Sequence, residues 1–154
     1  MKGAIGNAMV MNIVITFIVL TTAFLVGSIS YSKAYKVKTK IIDIIEKYEG
    51  SFSTTSGNKI ISEIDEYLGS IGYRTASSAS RSNCNSYARP GEKIATSVPN
   101  YDVCIIARSS GNNDGYRGDY YKVVVFMYFD FPVLGDMVKI PVTGETRTFF
   151  KPIG

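Results

Sequence analysis

The sequence predicts an α+β fold, in which one N-terminal transmembrane helix continues into a long amphipathic helix packed on a small antiparallel β-sheet. Three observations predict it. Thirty consecutive residues, Gly3 to Ser32, carry no charge, and their apolar weight lies in Met9–Val26. Beyond them Ala34, Val37, Ile41, Ile44, Ile45 and Tyr48 recur at the spacing of one helical face. The last third of the chain then alternates apolar and polar residues with the period of half-buried strands.

At ~1.5 Å per residue the uncharged run reaches about 45 Å, against a hydrocarbon core of ~30 Å. It is long enough to cross a bilayer with some tilt. Two other readings compete. A cleaved secretory signal has the small-x-small triplet Ser28-Ile29-Ser30 in its favour, but Lys2 is the only basic side chain before the run, and the run is too long. A helix packed into a protein partner is the other. On the first reading residues 1–32 are the anchor and 33–154 one α+β domain, large enough to bury a core without metals. Within the anchor Ala8, Asn12, Thr16, Ala23, Gly27, Ser30 and Ala34 fall at spacings of three, four and seven. Small and polar stripes favour close helix–helix contact, so Ala8, Asn12, Thr16, Ala23 and Gly27 are the candidate association face. Such a stripe also arises without any partner.

The helix is expected to run unbroken from about Ala4 to Glu49, roughly 70 Å, and to stop at Gly50. Ser51–Gly57 reads as a polar turn and Lys59–Ile71 as a second helix with Ile60, Ile61, Ile64, Tyr67, Leu68 and Ile71 on one face. Thr75–Asn100, rich in Ser, Asn and Arg, reads as a long surface loop pinned by Cys84, with room for one short strand. Asp102–Arg108 is the first clear strand, Ser109–Gly118 a hairpin loop, and Asp119–Phe131 the strongest strand, with Val123, Val125, Met127 and Phe129 on one face. A turn at Pro132–Asp136 leads to a last strand, Met137–Phe149, with Val138, Ile140 and Val142 inward. Pro141 in that strand lacks a ladder donor, which suits a sheet edge.

Composition narrows the function classes. The chain has no histidine, which removes Ser-His-Asp and Cys-His catalysis and the commonest metal ligand. Asp130 and Asp136 fit strand-end and turn roles, and Asn112–Gly115 lacks EF-hand spacing. No constellation marks a catalytic, metal or cofactor site, so a non-enzymatic protein without a cofactor is expected. Net charge is +4, and Lys33, Lys36, Lys38 and Lys40 form a juxtamembrane cluster suited to anionic lipid rather than to nucleic acid. Cys84 and Cys104 form a disulfide if the domain is exported, and are ordinary thiols in the cytosol.

A start with Lys2 and Gly3, one apolar helix continuing through Ser30–Glu49, and a β-rich end at Val123–Phe131, Pro-Val-Leu-Gly and Ile140–Phe149 resemble the TadE/TadG-like pseudopilins of tight-adherence pilus systems. The resemblance implies a cell-membrane, single-pass structural component of a pilus-assembly or secretion apparatus. Its partners would be the lipid bilayer and other membrane helices or pilin-like subunits, in a homo- or hetero-oligomer, with no nucleic acid. Pilin-like precursors are cut after a glycine to leave glutamate at the fifth mature position. Here that position is Ala8 after Gly3 or Met11 after Gly6, and the first acid is Asp43. The alternative function is an anchored extracellular ligand-binding or adhesion module using the loops at Thr75–Asn100 and Ser109–Gly118. Topology is divided: the lysine cluster favours a cytoplasmic domain by the positive-inside rule, whereas the cysteine pair, the Ser/Asn-rich loop and the family layout favour an extracytoplasmic one.

Overall fold

The computed structural model describes residues 2–52, 54–75, 83–98, 100–113, 116–130 and 137–152. Helix α1 spans Lys2–Lys47 without a break, and α2 spans Thr54–Ser70. A short 3₁₀ turn at Cys84–Tyr87 precedes five strands: β1 (Lys93–Ser97), β2 (Val103–Asn113), β3 (Tyr116–Asp130), β4 (Met137–Glu145) and β5 (Phe149–Pro152). The sheet is antiparallel in the order β1-β2-β3-β4, and β5 pairs with the other end of β3. This is the α+β layout expected, a long apolar helix joined to a small antiparallel sheet.

One face of the sheet builds the main core. Val103 and Ile105 of β2 and Val123, Val125 and Met127 of β3 pack with Ala34, Val37, Ile41, Ile44 and Ile45 of α1. Ile60, Ile64 and Leu68 of α2 close it. Helix α1 lies so close to β4 that a Cβ on Gly144 would stand 2.7 Å from the Lys38 side chain and 2.8 Å from that of Ile42. The opposite face carries a second, smaller core of Cys104, Ile106, Val124 and Phe126, roofed by Cys84, Tyr87 and Ala88. The Cys84–Cys104 disulfide, with Cα atoms 5.6 Å apart, fastens that roof to β2.

Both helices end in Schellman geometry. The Gly50 N–H donates to the Ile45 carbonyl and the Glu49 N–H to that of Glu46, so Glu49, at φ 52°, holds the left-handed position. In α2 that position is Gly72, at φ 59°, with Tyr73 N–H donating to the Leu68 carbonyl. Gly50 is itself left-handed and sits under two rings: a Cβ there would meet Tyr121 at 2.6 Å and Phe149 at 2.8 Å.

Three boundaries differ from the sequence reading. Helix α2 begins at Thr54, not near Lys59, and Gly57 in its first turn is buried close to the Phe52 backbone, where a Cβ would stand 3.6 Å away. Most of the expected hairpin loop, Ser109–Gly118, is ladder, with Asn113 paired to Tyr116 and a bulge between Ser109 and Gly111. The last strand is broken: after Glu145 pairs with Lys122, Tyr120 and Tyr121 face residues 146–148 before Phe149 pairs with Asp119. At that break the Thr146 hydroxyl accepts the Tyr121 N–H, and Glu46 of α1 accepts the Arg147 N–H. The Pro132–Asp136 turn, part of the Thr75–Asn100 loop (76–82 and 99), Asp114 and Gly115, and the side chains of Phe129, Asp130 and Val138 lie outside the described residues, as do those at Gly3 and Gly6.

Candidate functional site

The candidate association residues all lie on α1. At ~100° per residue, Ala8, Asn12, Thr16, Ala23 and Gly27 share an arc of about 100° with Ala34, Val37, Ile41, Ile44 and Ile45. One stripe therefore runs the length of the helix. The sheet covers it from Ala34 onward, where Ala34 and Val37 are 1% and 0% exposed. Below that the protein leaves it uncovered: Ala8, Asn12 and Thr16 are exposed, and Ala23 and Gly27 are partly shielded by their larger neighbours. Asn12 and Thr16 sit in a shallow groove with Met9, Ile13, Phe17 and Leu20. The hydroxyls of Thr16, Thr21 and Thr22 donate to carbonyls one turn back, Asn12, Phe17 and Ile18, at 2.8–3.0 Å. Their polar atoms are thus satisfied within the helix.

Where the stripe passes from uncovered to covered there is a cleft of about 200 Å³, lined by Ser30, Lys33, Ala34, Gly72, Tyr73, Arg74, Phe126, Met127 and Tyr128. Its walls come from three elements held together by backbone chemistry. β2 begins at Val103, opposite Val125, so Phe126 of β3 has no rung beside it on that side. The Tyr73 hydroxyl fills the gap, donating to the Phe126 carbonyl at 2.6 Å and accepting its N–H at 3.1 Å. Burial pushes the Tyr73 hydroxyl pKa up to about 12. Because Phe126 directs its N–H and C=O toward Tyr73, its partner Pro141 stands at a position where β3 asks for no donor. That explains how a proline fits this strand.

Lys33 donates from its ammonium to the Gly72 carbonyl at 2.9 Å, tying α1 to the end of α2. The Arg74 guanidinium carbon lies 5.6 Å from the centre of the Tyr128 ring. Behind that ring Asp102 is fully buried, with Lys139 Nζ at 3.0 Å and the Tyr128 hydroxyl at 3.5 Å. Desolvation, then the Asp102 charge, raise the Tyr128 pKa. Further along the same face of the sheet, Arg108 is buried between Glu92 and Glu145, each at 2.7 Å. Among the described residues no group of three or more His, Cys, Asp or Glu is placed to hold a metal ion.

The sequence reading missed Tyr73, Asp102, Arg108 and the cleft. Tyr73 had one signal, its place directly after the left-handed Gly72 that ends α2. Asp102 and Arg108 bound the strand that was read, but nothing in the pattern showed that they turn inward.

Fold and cleft define a class: an α+β domain carried on a continuous helix that is long and apolar enough to cross a membrane. Compared with protein-family models, curated proteins and solved structures, the chain matches none.

Proposed function

We propose that this protein is a membrane-anchored, pseudopilin-like structural component of a pilus-assembly or secretion apparatus, without enzymatic activity. The observation that carries the proposal is the division of α1. Its most apolar window is wholly unburied by the rest of the protein, while its C-terminal half is the spine of the β domain. A helix serving only a soluble core would bury that window, since leaving Phe, Leu and Ile side chains in water costs roughly 1.5–3 kcal/mol each. Lipid is the solvent that suits it, and the threonines whose hydroxyls bond back to their own helix suit lipid equally.

The domain then projects from the membrane on a rigid rod, and the uncovered stripe at Ala8, Asn12, Thr16, Ala23 and Gly27 packs against the helix of a neighbouring subunit. The exposed Asn12 amide supplies an interhelical hydrogen bond. The disulfide supports an extracytoplasmic domain, since such bonds persist on that side. The resemblance to TadE/TadG-like pseudopilins rests on the same layout.

Cysteine crosslinking in native membranes tests the association. Thr16→Cys and Ala23→Cys should form oxidative dimers or adducts with neighbouring subunits, whereas Leu25→Cys, on the opposite side of the helix, should not. Equal crosslinking at all three positions, or none at any, would contradict the assembly role.

A further inference from the structure

We propose that the domain leans on the bilayer through its β4 side, where Tyr31, Tyr35 and Ile140 form a seat in the headgroup layer. The inference rests on the reading of α1 as a membrane span, and it says which side of the domain that membrane meets.

Depth is the first support. Met9 and Ile29, both exposed, mark the two ends of the uncovered apolar stretch. They are separated by ~30 Å of helical rise, which matches the hydrocarbon core. Tyr31 stands ~3 Å beyond Ile29 and Tyr35 ~9 Å beyond it, against a headgroup layer of about 5–7 Å per leaflet. Helical side chains lean toward the N-terminus, so the Tyr35 ring reaches back into that layer. The two tyrosines are 54% and 50% exposed, their rings are 6.4 Å apart, and Tyr is enriched at that boundary. Ile140 reaches the same depth from the sheet. It pairs with Met127, which lines the cleft beside Ser30, Lys33 and Ala34.

Position around the helix is the second. A Cβ on Gly144 of β4 would meet Lys38 and Ile42, so that flank of α1 faces β4. Lys38 Nζ lies 3.9 Å from the centre of the Tyr35 ring, which carries the flank down to Tyr35 and then to Tyr31. Spacings of four, three and four keep Tyr31, Tyr35, Lys38 and Ile42 on one side of the helix. On β4 the core face is partly covered at Val142 and Gly144 but opens at Ile140, 41% exposed although its partner Met127 is buried. Two aromatic side chains and one aliphatic therefore share a depth and a side of the molecule, and the protein leaves all three uncovered.

The third is the contrast with the other flank. Lys33, Lys36 and Lys40 lie toward α2, where Lys33 donates to the Gly72 carbonyl and Lys47 to Glu63. Ammonium groups stay at the phosphate level, whereas tyrosine rings and isoleucine settle below it. The rod thus meets the interface with one side that sinks and one that is held up, and it tilts toward β4.

The chain has no tryptophan, so one introduced Trp is the sole emitter in the full-length protein in vesicles. Quenching is read with phosphatidylcholine brominated near the top of its acyl chains and, separately, near their ends. Ile140→Trp should be quenched by the shallow bromine and emit at shorter wavelength than a Trp in water. Tyr35→Trp, on the helix and independent of packing in β4, should behave the same way. Thr75→Trp is exposed and lies on the β2 side through its bridge to Tyr101, so it should escape quenching. Adding Tyr31→Ser and Tyr35→Ser to the Ile140→Trp protein should abolish most of its quenching. An unquenched Ile140→Trp or Tyr35→Trp would overturn the seat. Equal quenching at Ile140→Trp and Thr75→Trp would overturn the lean, and quenching indifferent to the two serines would overturn the part given to the tyrosines. Phe17→Trp, near the middle of the span, should be quenched by the deep bromine. Its failure would remove the span itself, a result distinct from the others.

Discussion

The two halves of α1 have the same backbone, the same period and one shared stripe, yet they face different surroundings. Between Ala34 and Ile45 the stripe is roofed by β2, β3 and β4 and carries branched aliphatic residues. Between Ala8 and Gly27 its residues are mostly small or polar, with Val19 and Val26 among them, while Phe17, Phe24 and Leu25, 61–75% exposed, point the other way. A helix that buries itself against a sheet puts large residues on the covered face. A helix that meets lipid and another helix puts them on the lipid face and keeps the contact face small. The inversion occurs near Ser30 without a break in the helix, so the change from covered to uncovered stripe is written in side chains alone.

Substitutions should divide along the same line. Ile41→Ala, at a fully buried position, should destabilise the domain by about 3 kcal/mol in denaturant titration of the detergent-solubilised protein. Ile15→Ala, half exposed, should leave the same titration within ~0.5 kcal/mol. A comparable loss at both positions would erase the distinction between the halves.

Removal of the disulfide in the Cys84→Ser, Cys104→Ser protein should cost about 3 kcal/mol for a separation of 20 residues, and should raise protease sensitivity first around the 3₁₀ turn. The anchor half should be unaffected, which limited proteolysis in membranes would show.

Tyr73→Phe leaves the buried Phe126 N–H and C=O without the hydroxyl that serves both, and should cost about 1–2 kcal/mol. The hydroxyl also gives stability a pH limit. Its pKa in the folded protein is raised by burial from 10.0 to about 12, so the unfolded chain ionises first. Stability should be complete below about 10, decline as the pH rises toward 12, and decline less steeply in the Tyr73→Phe protein.

The smallest effect is expected at Glu63. Hydrogen bonds from Lys47 and then Tyr48 hold its carboxyl below the usual range. Its contribution is present above the carboxylate range and is lost as the pH falls through the depressed pKa. Because the pair is largely exposed, Glu63→Gln should shift the acid midpoint slightly and leave neutral stability nearly unchanged.

The sequence made the rod legible because an uncharged run and a three-and-four repeat are both local signals, and they adjoin. The β3 core face was legible for the same reason: Val123, Val125 and Met127 alternate cleanly. The split between β4 and β5 was not, since it depends on Thr146 and Glu46 serving backbone donors, which are tertiary contacts with no sequence period. The end of α1 was placed two residues late, at Glu49 rather than Lys47, because Glu49 itself already takes the left-handed position. The cleft was illegible altogether: Lys33, Gly72, Arg74 and Tyr128 are separated by up to ninety-five positions and meet only when the fold is complete.

Spin labels placed singly along α1 in lipid vesicles, read for collision with oxygen and with a water-soluble nickel chelate, test the two-solvent account most directly. The account predicts oxygen access with nickel protection for labels from Met9 to Ile29, and a change to nickel access at Lys36 and Asp43. Nickel access throughout Met9–Ile29 would show that water, not lipid, surrounds this half of the helix, and would contradict it.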